Sequence, residues 1–253
     1  MNRKAPRMRL DVLLVERGLA ESRQRAQAMI LAGEVEIDGK RADKAGSNTA
    51  DDAQVQVHSR SQKYASRGGF KLEGALEDFH VSCAGKVCLD VGSSNGGFTD
   101  CVLQNGAVRV YAVDVNTDQL AWKLREDARV VTIKKNAREL GAVDLPGLVD
   151  LVVADVSFIS VKKVLPGAVA CAKADADFLI LIKPQFELER EDVGKGGIVR
   201  EKELHQRAIE SVSESAKALG LSCLGTIPSK LVGAEGNQEY FLHARKTAAV
   251  ESR

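Results

Sequence analysis

The apolar positions of residues 9–57 follow a helical period first and a strand period afterwards. Leu10, Leu13 and Leu14 recur at helical spacing until Gly18, which predicts a short helix. Ser22 stands at an N-cap position. Ala26, Met29 and Ile30 share one face of the helix after it, and Gly33 suits its exit. Val35 and Ile37 then alternate with acidic residues and run into Asp38-Gly39, a strong hairpin signal. A further alternation runs from Ala53 to Val57. Together these predict a small unit of two short helices and a small sheet. Residues 58–66 are polar and aperiodic and read as a connection, which divides the chain into 1–59, a linker at 60–66, and 67–253.

Beyond the connection the two periods alternate. Apolar runs at 86–91, 109–115, 130–134, 148–154, 178–182, 221–227 and 239–244 predict strands. Helical patterns fall near 69–79, 96–105, 117–126, 160–172 and 201–219. This alternation predicts an α/β fold: an open, mostly parallel, Rossmann-like sheet. The last two strands are joined only by residues 228–238, which predicts an antiparallel last strand in a hairpin at one sheet edge.

Composition narrows the class. The 253 residues are 44% hydrophobic and 28% charged, which excludes collagen, wholesale disorder and a disulfide scaffold. Cys83, Cys88, Cys101, Cys171 and Cys223 are scattered and odd in number, so they read as buried free thiols, and no metal site is expected. No apolar stretch approaches membrane-spanning length. The first apolar run is broken by Asp11, Glu16 and Arg17, so no export signal is read and a cytoplasmic location is expected. The net charge of +1 conceals an asymmetry, because residues 1–71 carry 14 Lys and Arg against 9 Asp and Glu. A basic front on a slightly acidic body suggests an anionic partner engaged by the front.

The segment K-V-C-L-D-V-G-S-S-N-G-G-F-T-D reads as strand, glycine-rich turn and helix. Gly92, Gly96 and Gly97 permit a close approach of backbone to ligand. Asp114 ends the next strand, where an acid can accept hydrogen bonds from both ribose hydroxyls of a nucleoside cofactor. The turn begins with acidic Asp90 and continues through Ser93, Ser94 and Asn95 toward Phe98. A pyrophosphate prefers a glycine cradle at a helix N-terminus. S-adenosyl-L-methionine has no phosphate and carries an ammonium and a sulfonium, so this turn suits it better than NAD. Asn136, ending the third strand, is placed either to meet the adenine or simply to form a turn.

Four polar residues stand at the expected functional edge. Asp155 and Lys183 close the fourth and fifth strands, Lys71 precedes the first, and Glu239 starts the last. In open α/β sheets ligands bind beyond the strand carboxyl ends, and an antiparallel last strand brings its start to that edge. A charge closing an apolar strand is costly unless partnered. Two lysines and two carboxylates supply partners, as a catalytic set or as ordinary ion pairs. The loop 194–201, G-K-G-G-I-V-R-E, could close over a ligand or could be a plain solvent loop.

The pattern R-L-D-x-x-L, then G-L-A-x-S-R-x-x-A-x-x-x-I-x-x-G-x-V-x-I-D-G-K, resembles the S4-type RNA-binding domain. The resemblance implies that Ser22, Arg23 and the turn face structured RNA. The candidate RNA-binding set is Arg7, Arg9, Ser22, Arg23, Arg25, Lys40 and Arg41. Lys71, Asp155, Lys183 and Glu239, with the glycine turn and the I-K-P-Q-F-E segment, resemble the FtsJ-like RNA ribose 2′-O-methyltransferases. Behind an S4-type front, the whole looks like the TlyA family, also labelled hemolysin A. That likeness implies S-adenosyl-L-methionine as donor and a cytidine ribose 2′-OH of ribosomal RNA as acceptor. The cofactor set is then Asp90, Gly92, Ser93, Ser94, Asn95, Gly96, Gly97, Phe98, Asp114, Asn136 and Asp155, and the catalytic set is the two lysines and two carboxylates. Lys183 would act either as general base or as a cation stabilising the developing alkoxide. The rival readings are a non-catalytic ribosome-binding or RNA-binding protein and a membrane-active hemolysin.

Overall fold

The computed structural model describes residues 6–20, 22–31, 33–57, 63–194, 196–233 and 236–247. The chain forms two compact units, 1–62 and 63–253. Residues 58–62, which include part of the expected linker, and Lys195 of the 194–201 loop lie outside the described residues.

The first unit runs β1 (Arg7–Arg9), α1 (Leu10–Glu16), α2 (Arg23–Leu31), β2 (Val35–Ile37), β3 (Lys40–Arg41), β4 (Asn48–Ala50) and β5 (Val55–Val57). The backbone N–H of Arg25 donates to Ser22 Oγ at 3.2 Å, so Ser22 caps α2 as its position predicts. Asp38 and Gly39, both at positive φ, join β2 to β3. The sheet is two sheets: β3-β2-β5, and a separate β1–β4 pair that has no apolar alternation to announce it. Leu10, Leu14, Ala26, Ile30 and Val35 pack into one small core.

The second unit runs α3 (Gly68–Asp78), β6 (Val87–Val91), α4 (Gly97–Gln104), β7 (Arg109–Asp114), α5 (Trp122–Arg125), β8 (Val130–Lys134), β9 (Val149–Ala154), α6 (Leu165–Ala170), β10 (Ala172–Ile182), α7 (Pro184–Glu187), α8 (Lys202–Ala218), β11 (Leu221–Pro228) and β12 (Tyr240–Lys246). Its seven-stranded sheet has the order β11-β12-β10-β9-β6-β7-β8. Strands β6 to β10 are mutually parallel, while β12 runs antiparallel to both β10 and β11. The last strand thus lies inside the hairpin partner that precedes it, and β11 forms the edge. The central strands are buried on both faces, between two apolar clusters. Residues 63–66, read from sequence as linker, belong to this unit. Tyr64 is 1% exposed, and the Ala65 N–H donates to Asp100 Oδ2 at 2.7 Å.

The expected helix over 117–126 is a 3-10 turn at 117–119 and a single α-helical turn at 122–125. Leu120 is extended between them, and the Ala121 N–H donates to the Asn95 carbonyl, which takes the bond a continuous helix would need. The helix near 160–172 is likewise divided. Pro166, which lacks an N–H, sits in the first turn of α6. Among the described residues no helix is long and apolar enough to cross a membrane.

Candidate active site

Strand register collects the site. Val91 pairs with Val113 and Ala154, Ile180 with Ala154, and Ile182 with Tyr240. Gly92, Asp114, Asp155 and Lys183 follow directly on these positions, and Glu239 directly precedes Tyr240. All five therefore emerge at the carboxyl edge of the parallel strands. Lys71 reaches the same edge from the first turn of α3, which packs on α4.

The charges are paired. Lys183 Nζ lies 2.5 Å from Asp155 Oδ1 and donates a 2.8 Å hydrogen bond to Ser157 Oγ. The Asp155 contact is an ion pair without hydrogen-bond directionality, since Oδ1 receives no hydrogen bond. Lys71 Nζ donates to Glu239 Oε2 at 2.5 Å. Lys71, Lys183 and Glu239 are 9%, 8% and 2% exposed, and ammonium groups so buried require these partners. Lys71, Lys183 and Glu239 border one hollow of about 200 Å³ with Ser157, Phe158 and Gln185.

Two further hollows flank the glycine turn. One, of about 430 Å³, is bordered by Gly92, Ser94, Asp114, Asn136 and Asp155 together with apolar Val115, Val156 and Ile159. The other reaches from Ser66 and Arg67 past Ser93, Gly97 and Phe98 to Lys183. Asp114 is anchored by N–H donors: Oδ2 accepts from Ser94 and Oδ1 from Asn116, each at 3.0 Å. Asn136 borders the larger hollow, and its Oδ1 accepts from the Arg138 N–H at 3.1 Å to cap a turn.

Three of the expected cofactor residues border none of these hollows. Asp90 is fully buried beneath the turn, where Oδ2 accepts from Thr99 Oγ1 at 2.6 Å and Oδ1 has no partner among the described residues. Burial raises its carboxyl to about 7. Asn95 is exposed, and its carbonyl accepts the Ala121 N–H. Gly96 packs beneath Leu120 and Leu124.

Sequence reasoning missed Ser157, which borders all three hollows, and Phe158, exposed at φ +65°. The available signal was their place just beyond the carboxyl end of β9. The 196–200 segment is tied down rather than free. Asn237 Oδ1 accepts from Val199 N–H at 2.9 Å, and Asn237 Nδ2 donates to the Gly197 carbonyl at 2.8 Å. Cys83, Cys88, Cys101 and Cys171 are buried and Cys223 is only half-buried; burial pushes the Cys101 thiol up to about 12. Among the described residues no group of three or more His, Cys, Asp or Glu is arranged to hold a metal.

In the first unit the basic candidates divide. Arg9 holds fully buried Asp11 with two hydrogen bonds of 3.0 and 2.9 Å, and Arg23 and Gln27 reach the same carboxylate. These contacts, that of Arg9 foremost, hold the Asp11 carboxyl well below the usual carboxylate range. Arg7 donates to the Asn48 carbonyl at 2.5 Å. Arg25, Lys40 and Arg41 are exposed.

Residues 8–48 match the S4 domain family, and residues 64–246 match the FtsJ-like methyltransferase family. The 16S/23S rRNA (cytidine-2′-O)-methyltransferase TlyA of Mycobacterium tuberculosis is 48% identical over 243 residues, 95% of this chain and 91% of that protein. A solved structure from Streptococcus thermophilus, described as a hemolysin, superimposes with a TM-score of 0.75 at 42% identity, covering 96% of this chain and 89% of that one. An S-adenosylmethionine-dependent methyltransferase from Mesorhizobium loti shares the fold at 12% identity, with a TM-score of 0.53 over 70% of this chain and 98% of that one.

Proposed function

The chain belongs to the FtsJ-like methyltransferase family alongside its TlyA relatives, with an S4 domain ahead of the methyltransferase part, and from that premise we propose that it 2′-O-methylates a cytidine ribose of ribosomal RNA with S-adenosyl-L-methionine as donor. The observation that carries the reading is the pair of lysine–carboxylate couples, Lys183–Asp155 and Lys71–Glu239, placed beside the glycine turn.

The residues present fit the donor. A Cβ on Gly92, at φ +85°, would stand 2.4 Å from the Asp155 carbonyl oxygen, so only glycine lets the turn lie against the end of β9. A Cβ on Gly97 would meet Ser66 Oγ at 2.2 Å. That glycine lets the 66–68 segment lie against the start of α4, beside the hollow that Gly97 and Phe98 border. Asp114 would accept from the ribose hydroxyls, Val115, Val156 and Ile159 would flank the adenine with Asn136 at its rim, and Asp155 would face the cationic end. When bound, this cofactor supplies an electrophilic methyl group on a positively charged sulfur.

The remaining work belongs to the chain. A ribose hydroxyl is a poor nucleophile until it loses its proton. Lys183 would meet it, taking the proton as a neutral amine or holding the oxygen's growing negative charge as an ammonium. Lys71 and Glu239, neutralising one another, would fix the hydroxyl from the far side of the hollow. Arg25, Lys40 and Arg41, with Arg7, Arg9 and Arg23, would engage the RNA backbone. An enzyme of this kind works where ribosomal RNA is, in the cytoplasm.

The test is methyl transfer from isotopically labelled S-adenosylmethionine to purified ribosomal subunits, with 2′-O-methyl groups mapped afterwards. Label on a cytidine 2′-oxygen is expected. Label on a base, or RNA bound but unlabelled, overturns the reading, the latter in favour of a non-catalytic RNA-binding protein.

A further inference from the structure

Ser157 follows the end of β9 by three residues and is exposed, yet it borders every hollow of the site. Its Oγ accepts a 2.8 Å hydrogen bond from Lys183 Nζ, and Asp155 Oδ1 lies 2.5 Å from the same nitrogen. We infer that Ser157 is a positioning residue which, with Asp155, fixes the direction in which Lys183 Nζ meets the ribose hydroxyl. The inference rests on the reading that Lys183 serves that hydroxyl.

Beyond its bond to Cε, a tetrahedral amine nitrogen has three directions. Ser157 occupies one of them through its hydrogen bond, Asp155 holds the nitrogen by charge without taking up an N–H direction, and the others are left for the hollows that Lys183 borders. In a neutral amine one of these is the lone pair, which can take a proton. In an ammonium they are N–H groups, which can hold an oxyanion. The device therefore serves either form of the chemistry, and Ser157 touches no reacting atom. Without it, Nζ can swing about the Cδ–Cε bond with Asp155 as its remaining close contact. Misplacement of a reacting group by about 1 Å can cost about 100-fold in rate.

The experiment compares the parent chain, Ser157→Ala and Ser157→Thr in single-turnover methyl transfer to ribosomal subunits at saturating donor and RNA. Affinities for S-adenosylhomocysteine and RNA, and the melting temperature, are measured alongside. Ser157→Ala is expected to slow transfer by about tenfold or more, with both affinities and the melting temperature unchanged. Ser157→Thr, which keeps the oxygen, restores the rate. A parental rate in Ser157→Ala, a Ser157→Thr rate as slow as that of Ser157→Ala, or a loss of cofactor affinity that accounts for the whole defect overturns the inference. A parent chain that transfers no methyl to ribosomal RNA instead overturns the underlying reading.

Discussion

Lys71 and Glu239 stand 168 residues apart in sequence and 2.5 Å apart in space, with almost no solvent around either. Removing one member of such a pair strands the other as a buried charge, whereas replacing both by apolar groups leaves none. Lys71→Met is therefore expected to destabilise the second unit by about 3 kcal/mol, and Lys71→Met with Glu239→Leu to recover most of that loss. Denaturant melts of the single and double variants check this. Equal destabilisation by both would mean that the pair contributes through packing rather than charge.

Lys183→Ala is expected to lower the rate of methyl transfer by about 10²–10⁴-fold, with donor and RNA binding near parental values. Lys183→Arg is the sharper probe, because arginine keeps the charge and is effectively never deprotonated. Substantial activity in the arginine variant assigns the lysine an electrostatic part. A parental rate in Lys183→Ala would make the strand-end charges structural ion pairs.

The arginines of α2 separate by their partners. Arg25 is exposed, so Arg25→Ala is expected to weaken ribosomal RNA binding and reduce the salt slope by about one while leaving the melting temperature alone. Arg23 also reaches buried Asp11, at 3.3 Å, so Arg23→Ala is expected to lower both RNA affinity and the melting temperature of the first unit. Filter binding over a salt series, with melts of each variant, tests the division; parental binding by both moves the RNA to another face.

The buried Asp90 carboxyl gives the molecule a pH dependence of defined sign. Its pKa is raised by burial to about 7, against about 3.9 in an unfolded chain. Its contribution to stability is complete below about pH 4 and is lost as pH rises through about 7. Asp90→Asn still accepts from Thr99 and cannot ionise, so it is expected to gain stability over the parent between pH 6 and 8. Cofactor-free thermal melts across that range check this. Parallel curves for parent and variant would show that Asp90 does not titrate there.

Much of this site is legible in sequence because strand ends are. Asp114, Asp155 and Lys183 each close an apolar run, and the short connection before Glu239 implies an antiparallel return. What periodicity does not carry is what happens just beyond a strand. Ser157 and Phe158 lie in an aperiodic exit, and Asp90 differs from a ligand-facing acid only in the direction of its side chain. Asp11 is similar: it reads as a surface acid on a helix, yet two arginines and a glutamine allow its burial. Strand β10 begins six residues before its apolar run, because polar Lys173 and Asp175 occupy an irregular start where the register with β9 shifts. The β1–β4 pair is too short for alternation to register.

The interior place of β12 governs the order in which the molecule can be assembled. The parallel strands β6 to β10 arise from successive strand–helix units, each able to dock on its predecessor. Strand β11 reaches them only through β12, its one sheet neighbour among the described residues. It is fixed in the sheet only when β12 docks on β10, whether β11 and β12 pair before that step or during it. Glu239 enters the sheet edge with that docking, so closing the sheet and neutralising Lys71 are one event. An intermediate halted before it would have a largely formed fold, an uncompensated ammonium and an open strand edge, the kind of species prone to aggregate.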